Sequence, residues 1–142
     1  MLGKRHGSNF DQLMPVLKLE TTITLPDSQR QHLLTSLSKI VAETIGKPEQ
    51  YVMVTIGPAA IMMSGKPGDA AFVDVRSIGG LNAGVNGQLS QKVCALLTQS
   101  LPVPPDRIYL NFSEVEAGNW GWNGNTFGCG AWNCPRPRVP MS

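Results

Sequence analysis

At 142 residues the chain is long enough for one domain with a modest core and tight for two. Hydrophobic residues make up 42% and charged residues 15%, a globular balance that argues against disordered and fibrous classes. The formal charge of +2 is scattered along the chain, which leaves no electrostatic footprint for nucleic acid and no polybasic helix for a membrane surface.

No apolar run approaches the roughly eighteen residues needed to cross a bilayer. The leading MLGKRHGSNFDQLM lacks the apolar stretch of a signal peptide, and the closing PRPRVPMS is neither a peroxisomal nor a retention signal. A soluble, cytoplasmic protein is predicted, for which any secretion would need a route without a signal peptide. The three cysteines are Cys94, Cys129 and Cys134. Their odd number and wide spacing argue against a disulfide framework. Cys94 sits in an apolar helical pattern and reads as core, while Cys129 and Cys134 are close enough in a Gly/Pro-rich tail to pair if oxidised. His6 and His32 lie far from these thiols, so no zinc or other metal site is expected.

Taken in chain order, Val16 to Thr24 reads as a strand with Leu17, Leu19 and Ile23 on one face. Ser28 and Gln31 have the spacing of a capping box, in which each side chain satisfies an orphan backbone N–H. Leu33, Leu34, Leu37, Ile40, Val41 and Ile45 then follow at helical spacing, Gly46 supplies a C-terminal cap, and Pro48 prevents continuation. Residues 51–56 are β in composition.

The second half repeats this order. Residues 70–78 read as a strand with Ala71, Val73 and Val75 on one face. GGLNAGVNG loosens the chain, and Leu89, Val93, Leu96, Leu97 and Leu101 mark a helix stopped by Pro102, Pro104 and Pro105. Residues 107–112 close the unit as a strand. Two β-α-β units predict an α+β fold: a four-stranded sheet with both helices on one face. Many apolar residues are expected on the other face, so self-association is predicted to cover it, the alternative being a monomer with a partly apolar face.

Three features carry possible chemistry. Tyr109 and Asn111 are two apart in the last strand and share a face, opposite Ile108, Leu110 and Phe112. A phenol and an amide there could bind an oxyanion or carboxylate, or be two satisfied polar residues on a solvated face. Lys47 follows a helix C-terminus, where a cation is favoured by the helix dipole alone. Trp120, Trp122 and Phe127 lie on a Gly/Asn-rich segment, where they could wall a small-molecule pocket or pack on the sheet.

MPVLKLETTI, GKPEQYVMV, SIGGLN, PPDRIYLNF and WGWNGNTFG, in this order from Pro15 to Gly128, together resemble the macrophage migration inhibitory factor family of the tautomerase superfamily. The last block looks most like microbial or plant members. The resemblance implies a homotrimer with active sites at the subunit interfaces and cofactor-independent keto–enol tautomerisation of phenylpyruvate-like or dopachrome-like substrates. It matches Pro15 to a catalytic N-terminal proline exposed when the initiator methionine is removed, and Lys47 to the pocket lysine. Ile78 matches a residue contributing a backbone contact, Val16 follows the proline in the pocket, and Tyr109 and Asn111 match the pair lent by the neighbouring subunit. Trp120, Trp122 and Phe127 match the hydrophobic wall.

The chemistry agrees with those assignments. A free N-terminal proline is a secondary amine, and an apolar pocket with a nearby ammonium disfavours its protonated form. Such an amine can move a proton at the carbon α to a carbonyl. Residues 15–128 are therefore expected to form the tautomerase domain, with residues 1–14 as an extension absent from the mature protein and residues 129–142 as a tail. The alternative is a non-enzymatic, cytokine-like or scaffold trimer, with or without a protein receptor, whose pocket is blocked by residues 1–14. Thiol redox activity is not expected, because the positions matching a C-x-x-C in some relatives are Ala71 and Asp74.

Overall fold

The structure is a computed structural model and describes residues 14–128. Residues 1–13 of the leading extension and the tail 129–142, with Cys129 and Cys134, lie outside the described residues. The elements in order are β1 (Val16–Thr21), α1 (Asp27–Ile45), β2 (Met53–Pro58), β3 (Met62–Met63), β4 (Lys66–Pro67), β5 (Ala71–Ser77), α2 (Ala83–Ser100), β6 (Ile108–Glu114), β7 (Gly121–Trp122) and β8 (Asn125–Thr126). Short 3-10 turns cover Glu49–Tyr51, Pro105–Arg107 and Ala117–Asn119.

The main sheet has four strands in the order β2-β1-β5-β6. β1 is parallel to β2, β5 is parallel to β6, and the two pairs meet where β1 runs antiparallel to β5. The chain is therefore a duplicated β-α-β unit joined through its two first strands, as the repeat predicts.

Period-two alternation decides which face each helix covers. Leu17 and Leu19 of β1, Val73 and Val75 of β5 and Ile108 of β6 point inward and are buried. They meet Leu33, Leu37 and Val41 of α1 and Leu89, Val93 and Leu97 of α2 in one core, with Val54, Ile56, Leu110, Phe112 and the half-buried Cys94 packed at its margin. Full burial of each such aliphatic side chain contributes about 2 kcal/mol.

The opposite face is less apolar than expected. Val16, Met53, Phe72 and Tyr109 are there, but Lys18, Glu20, Asp74, Arg76, Asn111 and Ser113 alternate with the buried residues and share that face. Lys18 and Glu20 pair at 3.6 Å, and Asp74 binds Arg76 at 2.9 Å. The strands' alternation keeps Leu and Val for the helix side and leaves this face polar and charged at its centre.

Element boundaries differ from the sequence reading for identifiable reasons. β1 stops at Thr21, whose hydroxyl donates to the Ala70 carbonyl at 2.9 Å and accepts from Ile23 N–H. The Ser28 capping box does not form. Pro26 is the N-cap of α1 without a side-chain bond, and Asp27 supplies the acid in the first turn while ion-pairing with Arg30. α2 begins earlier than its apolar stripe, because Asn82 caps it by accepting from Val85 N–H at 2.9 Å, so Gly84 and Gly87 are helical.

Two small hairpins were not anticipated. Each has a two-residue turn with both residues left-handed: Ser64 and Gly65 at φ 58° and 72°, and Asn123 and Gly124 at φ 55° and 84°. This is type I′ turn chemistry, which Asn-Gly favours.

Arg107 secures the first hairpin to the sheet. Its guanidinium donates to the carbonyls of Asp69 (2.9 Å), Met63 (3.3 Å), Lys66 (3.1 Å) and Gly68 (3.4 Å). Arg107→Ala is expected to cost about 1–2 kcal/mol in denaturant unfolding and to raise amide exchange over residues 62–69. Arg107→Lys should recover little, since a single ammonium cannot span those carbonyls.

Candidate active site

The end of α1 explains why a lysine is buried. Gly46 adopts φ 81°, and both its own N–H and that of Lys47 return to the Ala42 carbonyl at 2.9 and 3.0 Å. This cap reverses the chain and turns Lys47 inward rather than along the helix axis. Lys47 is only 7% exposed, and its Nζ donates to the Ile78 carbonyl at 3.1 Å.

The Ile78 carbonyl is aimed by the turn that follows β5. Ser77 Oγ donates to the Gly79 carbonyl at 2.7 Å, and Gly79 and Gly80 have φ 76° and 84°. A Cβ on Gly80 would stand 2.9 Å from Ile45 Cγ2 and 3.1 Å from Lys47 Cε. Gly80 thus matters to the lysine through lack of bulk as well as through its backbone.

Pro15 precedes β1, its side chain fully buried, and its carbonyl accepts from Met53 N–H at 3.0 Å. Val16 stands opposite Arg76 across the antiparallel pair. Pro15, Lys47 and the turn through Ile78 therefore lie at the same end of the sheet. Met14, immediately before, holds a left-handed φ of 64° that non-glycine residues rarely adopt.

A cleft of about 340 Å³ opens at this end, lined by Val16, Arg76, Val115, Asn119, Trp120 and Gly121. Its size suits a single ring with short substituents. Trp120 reaches it because the turn Ala117–Asn119 brings the chain back, with Phe127 N–H bonding the Trp120 carbonyl at 3.0 Å. Trp122 and Phe127 do not join this lining; they stack on one another with centroids 5.9 Å apart and planes 11° apart.

Tyr109 and Asn111 share the outward face of β6, with Tyr109 65% exposed. In register, Tyr109 pairs with Phe72, at the opposite end of β5 from Arg76. Four residues of strand are about 13 Å, so the chain does not bring its own Tyr109 to its own Pro15. Asn111 is held by neighbours: its Nδ2 donates to Asp74 Oδ1 at 3.2 Å and to Ser113 Oγ at 3.0 Å. A carboxylate accepts only, which fixes the amide's orientation with Nδ2 towards Asp74.

Sequence reading passed over Arg76 and gave Asp74 no role beyond the missing thiol. The available signal was their period-two spacing, which puts both on the outward face beside Asn111. Among the described residues no helix is long and apolar enough to cross a membrane.

These features define a small α+β protein in which two β-α-β units share one sheet, with a cleft at the start of the first strand. The chain belongs to the macrophage migration inhibitory factor family of the tautomerase superfamily, whose model, described as "Macrophage migration inhibitory factor (MIF)", matches residues 14–128. It is 36% identical over 115 residues to the macrophage migration inhibitory factor of Meriones unguiculatus, covering 80% of this chain and 99% of that one. Microbial structures are equally similar. The homologue from Prochlorococcus marinus is 37% identical with a TM-score of 0.75, over 80% of this chain and 99% of that one. The MIF-like protein of Entamoeba histolytica is 32% identical with a TM-score of 0.76, over 80% and 98%.

Proposed function

We propose that the protein is a cofactor-independent keto–enol tautomerase of phenylpyruvate-like or dopachrome-like substrates, with Pro15 as general base. The observation that carries this reading is the placing of Pro15, the buried Lys47 and the Val16–Trp120 cleft at one end of the sheet.

The amine must be free. While Met14 is attached, the Pro15 nitrogen is a tertiary amide with no available lone pair. The left-handed Met14 also costs on the order of 1 kcal/mol. The mature protein therefore starts at Pro15, and residues 15–128 are its working domain. Apolar burial and the nearby Lys47 ammonium favour the neutral amine. That amine takes the proton from the carbon α to the keto group, and the C–H electron pair forms the enol double bond as charge moves to oxygen. The protonated amine returns the proton to oxygen in the enol direction, and the sequence reverses for ketonisation.

Lys47 neutralises the substrate carboxylate, and Trp120 with Val16 covers the ring and limits water. Tyr109 reaches the developing oxyanion only from a neighbouring copy, since it lies at the far end of its own sheet. This requirement supports a homotrimer with sites between subunits. Asn111 contributes its amide N–H to a substrate only by exchanging its bond to Ser113 or Asp74. Trp122 and Phe127, stacked on one another, stand outside the lining of the cleft within one copy of the chain.

The test is phenylpyruvate tautomerisation by protein shown by intact-mass measurement to begin at Pro15, with native mass spectrometry reporting three copies. Inactivity of that species would overturn the enzyme reading. An intact residue 1–14 segment on natively isolated protein would favour a non-enzymatic trimer instead.

A further inference from the structure

Among the described residues Arg76 is the only charged one in the lining of the cleft, and the tautomerase reading gives it no task. It is nevertheless held in place. Its Nη2 and Nε lie 2.9 and 3.1 Å from Asp74 Oδ2. Asp74 is 8% exposed and receives Asn111 Nδ2 on its other oxygen, so the carboxylate is itself anchored. An arginine tethered along one edge presents its other edge, with Nη1, as a pre-oriented fork suited to a planar anion. Its side chain remains 60% exposed, so an arriving anion has little desolvation to overcome.

The rest of the lining complements that fork. Val16, Val115 and the Trp120 indole offer apolar surface to a ring, and Asn119 adds an amide at the rim. Arg76 is two residues before Ile78, whose carbonyl holds Lys47, so both cations lie at the end of the sheet where β1 starts. One cation suffices for the carboxylate of a 2-oxo acid. Arg76 lines the cleft and Lys47 does not, so the untethered edge of Arg76 offers a separate place for a second anionic group.

We propose that Arg76 binds a second carboxylate of the substrate, so that the cleft selects aromatic 2-oxo acids carrying an anionic group remote from the reacting centre. The reacting end of the ligand rests on the tautomerase reading, whereas binding of the remote anion does not.

The experiment compares 4-carboxyphenylpyruvate with phenylpyruvate as substrates for the Pro15-starting protein. The wild-type kcat/KM is expected to favour the dianion about tenfold, the weight of a charge-assisted hydrogen bond. Arg76→Met should bring that ratio close to one, mainly through KM for the dianion, and Arg76→Lys should retain an intermediate ratio. Both substrates meet the same folded fraction of each variant, so partial misfolding cannot alter the ratio. A ratio unchanged by Arg76→Met would overturn the proposal.

A binding arm needs no turnover: quenching of tryptophan fluorescence by terephthalate and by 4-methylbenzoate. Arg76→Met should weaken terephthalate about tenfold more than 4-methylbenzoate, and equal weakening would overturn the proposal. Selective terephthalate binding without any tautomerisation would sink the enzyme reading while supporting the anion site.

Discussion

Protein that begins at Pro15 is expected to tautomerise phenylpyruvate at least about 10²-fold faster than the same chain retaining Met14, because a positioned base contributes roughly 10²–10⁴-fold. The two species differ in chemistry more than in fold. In both, the Pro15 carbonyl can accept from Met53 N–H and the ring can stay buried. What changes is the nitrogen, from an amide without basicity to a secondary amine. N-terminal Pro15→Gly keeps a basic nitrogen but loses the rigid ring and its packing, so an intermediate rate is expected. Stopped-flow or steady-state assays on mass-verified preparations check the order, and equal rates for the free and the Met14-blocked forms would remove Pro15 as the base. Matching unfolding curves for the first two would exclude a folding defect as the cause.

Much of the fold was legible because two different periodicities alternate twice along the chain. Leu17 and Leu19, then Leu33, Leu37 and Val41, leave little freedom about which surfaces meet, and Val73, Val75, Leu89, Val93 and Leu97 repeat the pattern. What escaped was decided by single hydrogen bonds. Thr21 ends β1 by bonding Ala70, a residue far along the chain. Asn82 captures Val85 and starts α2 before its glycines, overriding their low helix propensity. The two short hairpins were readable in principle, since Ser64-Gly65 and Asn123-Gly124 are turn dipeptides, but so short a strand carries no periodic signal.

The candidate site was legible in a different way. Pro15, Lys47, Ile78 and Trp120 were found through resemblance, and the chain places them at one end of the sheet. Their local patterns alone do not announce a site: Lys47 after a helix end is ordinary, and its burial depends on the Gly46 cap together with the Gly79–Gly80 turn. The polarity of the outer sheet face follows from alternation, which sets Lys18, Asp74 and Arg76 beside Val16, Phe72 and Tyr109. The role of Asp74 in engaging Asn111 depends on side-chain orientation across two strands, which no spacing rule supplies.

Lys47→Met separates the two meanings of a buried lysine. If the ammonium served only to terminate α1 and bond Ile78, its loss would be felt in stability and not in chemistry. Methionine has similar length, removes a charge that is costly to bury, and leaves the Ile78 carbonyl without this donor. Those effects oppose one another, so the unfolding free energy is expected to change by no more than about 1 kcal/mol. Activity should respond far more strongly, with kcat/KM for phenylpyruvate falling about 10²-fold, the usual consequence of removing a preorganised group that stabilises developing charge.

The pH profile gives an independent sign. If Pro15 is the base, as proposed, a nearby ammonium lowers the pKa of its amine by disfavouring a second positive charge. Removing it raises that pKa, so the acid limb of kcat/KM should move to higher pH in Lys47→Met. A variant with wild-type kcat/KM and an unmoved acid limb would show Lys47 to be a helix-end cation and nothing more. A large loss of rate with a displaced limb would tie the Gly46 cap, the Ile78 carbonyl and the start of β1 into one proton-transfer site.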